Sequence, residues 1–175
     1  MQPLKEDTCQ PVKQRSKSRK QILSILYPTK FRSTLRTARQ YHSSALRAAI
    51  DTAVAESKKR DWKMNVAVVD PGGHLVAFQR MDGAMLAAIQ IAEHKARAAA
   101  TFRRETKVFE DGINLMHLNY LLAFDGVIAS RGGIPLIEKG SIIGAIGVSG
   151  GTDSQDEIVS KAGAAVINEI PASNK

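Results

Sequence analysis

The amino-acid sequence predicts an α+β domain, an antiparallel sheet of about five strands flanked by helices in the order α-β-β-α-(α)-β-β-β-α. Two observations carry this prediction. Apolar runs of strand length follow one another through short turns rich in glycine and proline, a pattern typical of hairpins. Amphipathic helical segments flank the hairpins, and a long alanine-rich helix separates them. We expect the domain to occupy residues 43–172 of the 175-residue chain.

Helices are expected at both ends of the domain. Ser43 and Ser44 precede residues 45–56, whose apolar positions recur at helical spacing. A serine hydroxyl there can accept a hydrogen bond from a free amide of the first helical turn. Asp153 or Ser154 occupies the same position before the last amphipathic segment. Both segments therefore predict capped helices that bury one face.

The first hairpin is the clearest local prediction. Residues 64–69 form a largely β-branched apolar run, and residues 74–80 form a second run of strand length. The sequence Asp-Pro-Gly-Gly at 70–73 joins them, since proline fixes φ and glycine accepts the positive φ of a tight turn. The two runs are therefore expected to pair as antiparallel strands.

The middle of the domain is expected to be helical. Residues 86–104 give the longest helical run, and its many alanines indicate close packing against a flat surface, which we take to be the sheet. Residues 106–122 predict a second, weaker helix with an interruption at 112–114.

The last third of the domain completes the predicted sheet. Residues 127–130 are expected to begin it, and a glycine-rich turn at 131–133 follows. Residues 134–138 contain Pro135, which favours an edge strand because proline has no amide hydrogen for a central ladder. Residues 141–149 are almost wholly apolar and predict a central strand.

The formal net charge of +8 belongs to the first 40 residues, which hold 10 basic and 2 acidic side chains. The rest of the chain is neutral and has no basic face, so nucleic acid is not expected as a partner of the domain. Residues 1–42 are interpreted as a basic extension, either disordered or targeting, and their Arg- and Ser-rich composition resembles a mitochondrial presequence. We expect a cytoplasmic location; mitochondrial import or a misassigned start are the alternatives.

Composition excludes several other classes of site. The single cysteine, Cys9, rules out an internal disulfide framework and a multi-cysteine zinc site. No two histidines have the spacing of zinc ligands, so no metal site is expected. No apolar run approaches the ~20 residues that span a bilayer, and no membrane partner is expected.

Four blocks of residues, in order along 43–170, resemble the GlcG/HbpS-type haem-binding family, which is also described as haem-degrading and as the C-terminal domain of corrinoid-utilisation proteins. Each block alone is a weak signal, but the four together are specific. The blocks are Val66–Phe78 with Arg80–Ala84, Ala92–Ala96, Gly132–Leu136, and Ile143–Gly151 with Gln155–Glu157. The sequence departs from the family pattern at Arg131, where relatives usually carry the first of three glycines, and over residues 114–120.

The resemblance implies a function. It implies a small homo-oligomeric binding protein, possibly octameric in the manner of relatives, for haem, a related tetrapyrrole or another small anionic ligand. Two alternatives stay open: an enzyme of small hydroxy-acid (glycolate-linked) or haem metabolism, in which Lys95 and Asp70 are the polar groups of the site, and a structural assembly subunit. The sequence contains no recognisable combination of catalytic residues, so the catalytic positions are unknown.

The candidate ligand-binding residues are histidines, one lysine and a set of glycines. A haem iron takes a neutral imidazole nitrogen among apolar groups, and His42, His94 and His117 are the candidates; His42 lies near where the resemblance places an axial histidine. Lys95 is expected to be partly buried and to pair with Asp70, Asp82 or Glu93, or to contact a ligand carboxylate. We expect the ligand cleft between the long helix and the last hairpin. The candidate glycines serve either anion binding at a helix N-terminus or close strand packing: Gly132, Gly133, Gly147 and Gly150.

Overall fold

The structure, a computed structural model, describes residues 43–168. The predictions for residues 1–42, His42 among them, and for 169–172 lie outside these residues. Within them no helix is long and apolar enough to cross a membrane. The elements are α1 (Ser43–Lys59), β1 (Asn65–Val69), β2 (Leu75–Arg80), α2 (Ala88–Phe102), α3 (Lys107–Asn114), a 3-10 helix (Asn119–Ala123), β3 (Gly133–Glu138), β4 (Ser141–Ser149) and α4 (Asp153–Asn168).

The strands form one antiparallel sheet in the order β2-β1-β4-β3. The α+β class is confirmed, but the sheet has four strands rather than five. The strand predicted at residues 127–130 is wrong, because this segment is irregular. The central position of β4 and the edge position of Pro135 in β3 are both confirmed.

One face of the sheet is covered by α1 and α4 and is built from large aliphatic side chains. Val66 and Val68 of β1 and Ile146 and Val148 of β4 point into this layer. At its centre Gly163 of α4 allows the two helices to cross closely, since a Cβ there would lie 2.7 Å from a carbonyl oxygen of α1. This layer is the larger part of the hydrophobic core.

The opposite face is covered by α2 and is built from small residues. Ala67, Val69 and Ala145 of the sheet meet a set of buried helix alanines, which are Ala92, Ala96, Ala99 and Ala100. The prediction that the alanine-rich helix packs against the sheet is therefore confirmed. With so few side-chain atoms between them, the backbones of helix and sheet come close together.

The β3 edge of the sheet is covered by hydrogen bonds from other elements. Thr106, before α3, donates its amide to the Gly133 carbonyl and accepts the Gly133 amide on Oγ1, both at 3.0 Å. At the other end of β3, Asn168 accepts the Ile137 amide on Oδ1 at 2.7 Å and donates Nδ2 to the Pro135 carbonyl at 3.1 Å. Pro135 itself has no amide hydrogen to offer.

Among residues 43–168, no hydrogen bonds of this kind cover the β2 edge. The amide of Met81, just after β2, donates to the Met64 carbonyl at 3.0 Å and so faces β1. Backbone groups alternate in direction along an antiparallel ladder, and the amides and carbonyls of Phe78 and Arg80 therefore face away from the sheet. Within residues 43–168 no side chain hydrogen-bonds to these outward groups.

Candidate functional site

A buried ion pair joins the two helical layers. Lys95 of α2 donates Nζ to Oδ2 of Asp156, in the first turn of α4, at 2.7 Å, and the side chains are 1% and 3% exposed. The second carboxylate oxygen accepts the Gly151 amide at 3.0 Å. Burial raises the pKa of the Asp156 carboxyl above its ordinary value, although Lys95 and the Gly151 amide act in the opposite direction.

Burial of Lys95 was expected, but its partner was not. The sequence argument offered Asp70, Asp82 or Glu93, and the structure pairs it with Asp156, 61 residues further along the chain. No local spacing signals a contact between two helices on opposite faces of a sheet. Asp70 instead caps the first hairpin, accepting the amides of Gly72 and His74.

Gly133 and Gly147 lie between α2 and the last hairpin, where a ligand cleft was expected. A Cβ on Gly133 would lie 2.3 Å from the Lys95 carbonyl oxygen, and one on Gly147 would lie 2.2 Å from that of Ala92. The helix backbone therefore rests directly on the strands. No room separates α2 from the last hairpin at these two glycines, so they line no cleft between the two elements.

The two other candidate glycines also lie against protein atoms. Gly132 has φ +111, and a Cβ there would lie 2.9 Å from the Val148 carbonyl oxygen and 3.0 Å from the Asp156 Cβ. Gly150 has φ +150, with the Lys63 carbonyl oxygen 2.5 Å from its Cβ position. Both are backbone conformations that favour glycine. At all four glycines the observed contacts are those of close packing.

Arg131, the departure from the family pattern, is held by acidic side chains of two helices. Its Nε donates to both carboxylate oxygens of Glu110 in α3 at 2.9 and 3.0 Å, and its backbone amide donates to Glu110 at 2.7 Å. Another guanidinium nitrogen donates to Glu157 in α4 at 3.2 Å. These hydrogen bonds raise the pKa of Arg131 further above its ordinary value. The Arg131 guanidinium therefore connects α3 to α4 through ion pairs with Glu110 and Glu157.

The described histidines differ in their surroundings. His94 of α2 is half-buried, and its Nε2 lies 3.2 Å from the Gly126 carbonyl oxygen. A carbonyl oxygen only accepts, so Nε2 is the donor of this hydrogen bond. His117 is exposed and has φ +55, an unusual conformation for a residue other than glycine. His74 is exposed beside Asp70 on the first hairpin.

His117 lies in a segment, residues 115–124, whose large apolar side chains face outward. Leu115 is 73% exposed and Leu122 is 63% exposed, and Tyr120 and Phe124 are both about half exposed. Leu121 turns inward and is 3% exposed, close to Gly112 of α3. Met116 and Leu118 are partly buried and also lie near Gly112, so the segment is anchored to α3 on one side while its four exposed apolar side chains meet solvent. Among residues 43–168 no three acidic, histidine or cysteine side chains are grouped to hold a metal ion.

Comparison with known proteins identifies the family. The family model described as haem degrading protein HbpS-like matches residues 42–165. Protein GlcG of Escherichia coli K12 is 43% identical over 102 residues, 58% of this chain and 75% of that protein. A crystal structure of a Streptomyces reticuli HbpS double mutant has a TM-score of 0.68 and 29% identity, covering 76% of this chain and 90% of that one. A PduOC complex with haem has a TM-score of 0.65 and 26% identity, covering 75% and 96%. The chain therefore belongs to the HbpS-like family.

Proposed function

We propose that this chain is a binding protein for haem or a related tetrapyrrole and that the ligand lies on segment 115–124. The main observation is that His117 is exposed in the same ten-residue segment as exposed leucine and aromatic side chains. A haem needs such a combination, an imidazole for the iron and apolar groups for the macrocycle. The solved haem complex of PduOC, whose fold this chain shares, supports the same class of ligand.

The exposure of this segment is too concentrated to be ordinary surface. Four large apolar side chains within ten consecutive residues are half or more exposed, namely Leu115, Tyr120, Leu122 and Phe124. Tyr120 and Phe124 pack edge to face with their ring centroids 5.9 Å apart, and exposed apolar side chains grouped in this way favour a ligand or partner site. The positive φ of His117 adds to the argument, because unfavourable backbone conformations are kept where a side chain must be held in one direction.

His94 and His42 are further candidates for the iron. His94 hydrogen-bonds to the Gly126 carbonyl just beyond segment 115–124, and a ring nitrogen ordered in this way is the usual arrangement of a ligating histidine. His42 lies outside the described residues and stays a prediction. The glycine and Lys95 positions are engaged in packing and in an ion pair, so we place no ligand contact on them.

The remaining parts of the proposal concern assembly, chemistry and location. We infer that the protein is a homo-oligomer, and an octamer is the size that its resemblance favours. No reaction is proposed, because Lys95 and Asp70, the polar groups of the enzyme alternative, are engaged with Asp156 and with the hairpin turn. The relative and the structure reported with their organism are bacterial, which gives no support to mitochondrial import. A cytoplasmic location stays our expectation.

Titration of the purified chain with hemin tests the proposal. We expect a shift of the Soret band on binding, and at least a tenfold weaker affinity in His117→Ala and in Leu122→Asp. A weaker hemin affinity in His94→Ala or in His42→Ala would identify that histidine as a second ligand to the iron. His74→Ala is the matched control, since His74 is an exposed histidine on the first hairpin. The absence of a Soret shift, or equal losses in His117→Ala and His74→Ala, would overturn the assignment.

A further inference from the structure

Arg103 ends α2 in a backbone conformation that favours glycine. Its φ is 55° and its ψ is 42°, in the left-handed region, and its amide donates to the Ala99 carbonyl as the helix terminates. Helices that end in this way usually carry glycine at such a position, because a side chain makes the conformation unfavourable. Unfavourable conformations are kept where the structure or a function requires them. An arginine here therefore points to a use for its side chain.

The Arg103 side chain is exposed and has no hydrogen bond or ion pair with any residue from 43 to 168. The other cationic side chains around α3 are all engaged. Lys107 and Arg131 form ion pairs with carboxylates of α3, and Arg104 donates Nε to a backbone carbonyl at 3.1 Å. A guanidinium whose donors are free is well suited to a carboxylate, which it can bind through two parallel hydrogen bonds.

The position of Arg103 connects it to segment 115–124. A Cβ on Gly126, just after this segment, would lie 3.7 Å from the ring of Phe102, the residue before Arg103. Arg103 comes shortly before α3 in the chain and His117 shortly after it. The 8 residues of α3 make a helix about 12 Å long. A free guanidinium and an exposed imidazole therefore flank the same short helix.

We propose that Arg103 binds a carboxylate side arm of the tetrapyrrole and so selects ligands whose side arms end in free carboxylates. This inference rests on the proposed function, since it adds a second contact to the ligand placed on segment 115–124. The propionates of haem are side arms of this kind. An ester or amide side arm has no charge and cannot form the charge-assisted pair with a guanidinium.

Hemin and hemin dimethyl ester, whose carboxylates are blocked, test the contact in the full chain. Arg103→Gly removes the guanidinium and supplies the residue that the backbone favours, so the melting temperature should not fall. We expect hemin to bind about fivefold more weakly to Arg103→Gly, as read from the Soret band. Arg103→Lys keeps the charge without the bidentate geometry and should lie between the two. The ester should bind equally to the unaltered chain and to Arg103→Gly.

Lys139→Gly is the matched control. Lys139 is also an exposed cation with a positive φ, 49°, but it lies in the turn between β3 and β4. We expect it to bind hemin as the unaltered chain does. A Soret shift with equal hemin affinity in Arg103→Gly and Lys139→Gly would overturn this inference and leave the proposed function standing. Equal losses of hemin and ester binding in Arg103→Gly would also overturn it. No Soret shift in the unaltered chain would overturn both.

Discussion

The two faces of the sheet are packed by opposite means. Towards α1 and α4 the strands present large aliphatic side chains, such as Ile146 and Val148, that interlock with side chains of the helices. Towards α2 they present alanine and glycine, and backbone meets backbone. The first face is stabilised by contacts between large side chains. The second is stabilised because its small residues let the backbones of helix and sheet come close together. Enlarging a side chain should therefore destabilise the α2 face most, whereas shrinking one should destabilise the face towards α1 and α4.

The largest expected effect is on the α2 face. In Gly147→Ala the new Cβ would lie 2.2 Å from the Ala92 carbonyl oxygen and 2.4 Å from the Ala96 nitrogen. Both are backbone atoms that cannot rotate away, so the helix must leave the sheet. We expect the free energy of unfolding, measured with urea, to fall by more than about 4 kcal/mol.

Gly140→Ala is the matched control for this variant. Gly140 has a positive φ of 76° but nothing within 4 Å of its Cβ position. Backbone strain alone should then lower the free energy of unfolding by about 1–2 kcal/mol. A loss at Gly147 no larger than the loss at Gly140 would contradict direct contact between helix and sheet.

The next largest effect is expected where the two helical layers are joined. Lys95→Met leaves the Asp156 carboxylate buried without its cation, which should cost about 3–5 kcal/mol. The double variant Lys95→Met/Asp156→Leu should regain much of this stability, since no buried charge then lacks a partner. Urea denaturation of the three chains measures this. A single variant as stable as the unaltered chain would show that the ion pair does not hold the layers together.

Two neighbouring residues of β4 compare the faces directly. Ala145 points to α2 and Ile146 points to α1 and α4. Adding two methyl groups in Ala145→Val should cost about 1–3 kcal/mol by overpacking. Removing one in Ile146→Val should cost only about 0.5–1.5 kcal/mol. Thermal denaturation provides the measurement, and a larger loss in Ile146→Val would reverse our account of the two faces.

The smallest expected effect is on the pH dependence of the free energy of unfolding, through two adjacent carboxyl groups of α4, Asp156 and Glu157. Burial raises the pKa of Asp156, so its ionisation is harder in the folded state, and its contribution to the free energy of unfolding falls as pH rises from the ordinary value of 3.8. Burial also acts to raise the pKa of Glu157, but hydrogen bonds and charge from Lys161 and Arg131 hold it below 4.5. The stabilisation from Glu157 is present above pH 4.5 and is lost at lower pH.

Carbon-detected NMR titration of the carboxyl groups measures this pair directly. We expect Asp156 to titrate above 3.8 and Glu157 below 4.5, and Lys95→Met to raise the pKa of Asp156 further. A midpoint of Asp156 at or below 3.8, or a midpoint of Glu157 at or above 4.5, would contradict this expectation.

Local sequence signals predicted the parts of the fold that local interactions determine. The turn at 70–73, the alanine-rich helix and the edge position of Pro135 each follow from the residues themselves. The predicted strand at 127–130 failed for a reason that no local pattern contains. A fifth strand would have to join an edge, and the nearby β3 edge is already bonded to Thr106 and Asn168.

The candidate site was harder to predict, because its contacts join distant parts of the chain. Lys95 was recognised as a buried charge, but Asp156 comes from the opposite layer. For the candidate glycines, anion binding at a helix N-terminus and close strand packing both stayed open, because glycine permits either, and only the position of α2 distinguishes the two. His117 was a candidate as a histidine, whereas the exposure of its apolar neighbours emerged from the tertiary structure.

The covered β3 edge also determines what strand addition can build from this domain. In the language of polymer chemistry, a sheet with two open edges is a bifunctional monomer, and its copies can add end to end into a fibre without limit. The hydrogen bonds from Thr106 and Asn168 close the β3 edge of this domain, so that among residues 43–168 only the β2 edge is open. Strand addition at β2 would therefore leave no open edge among residues 43–168, and such growth would end after a single addition.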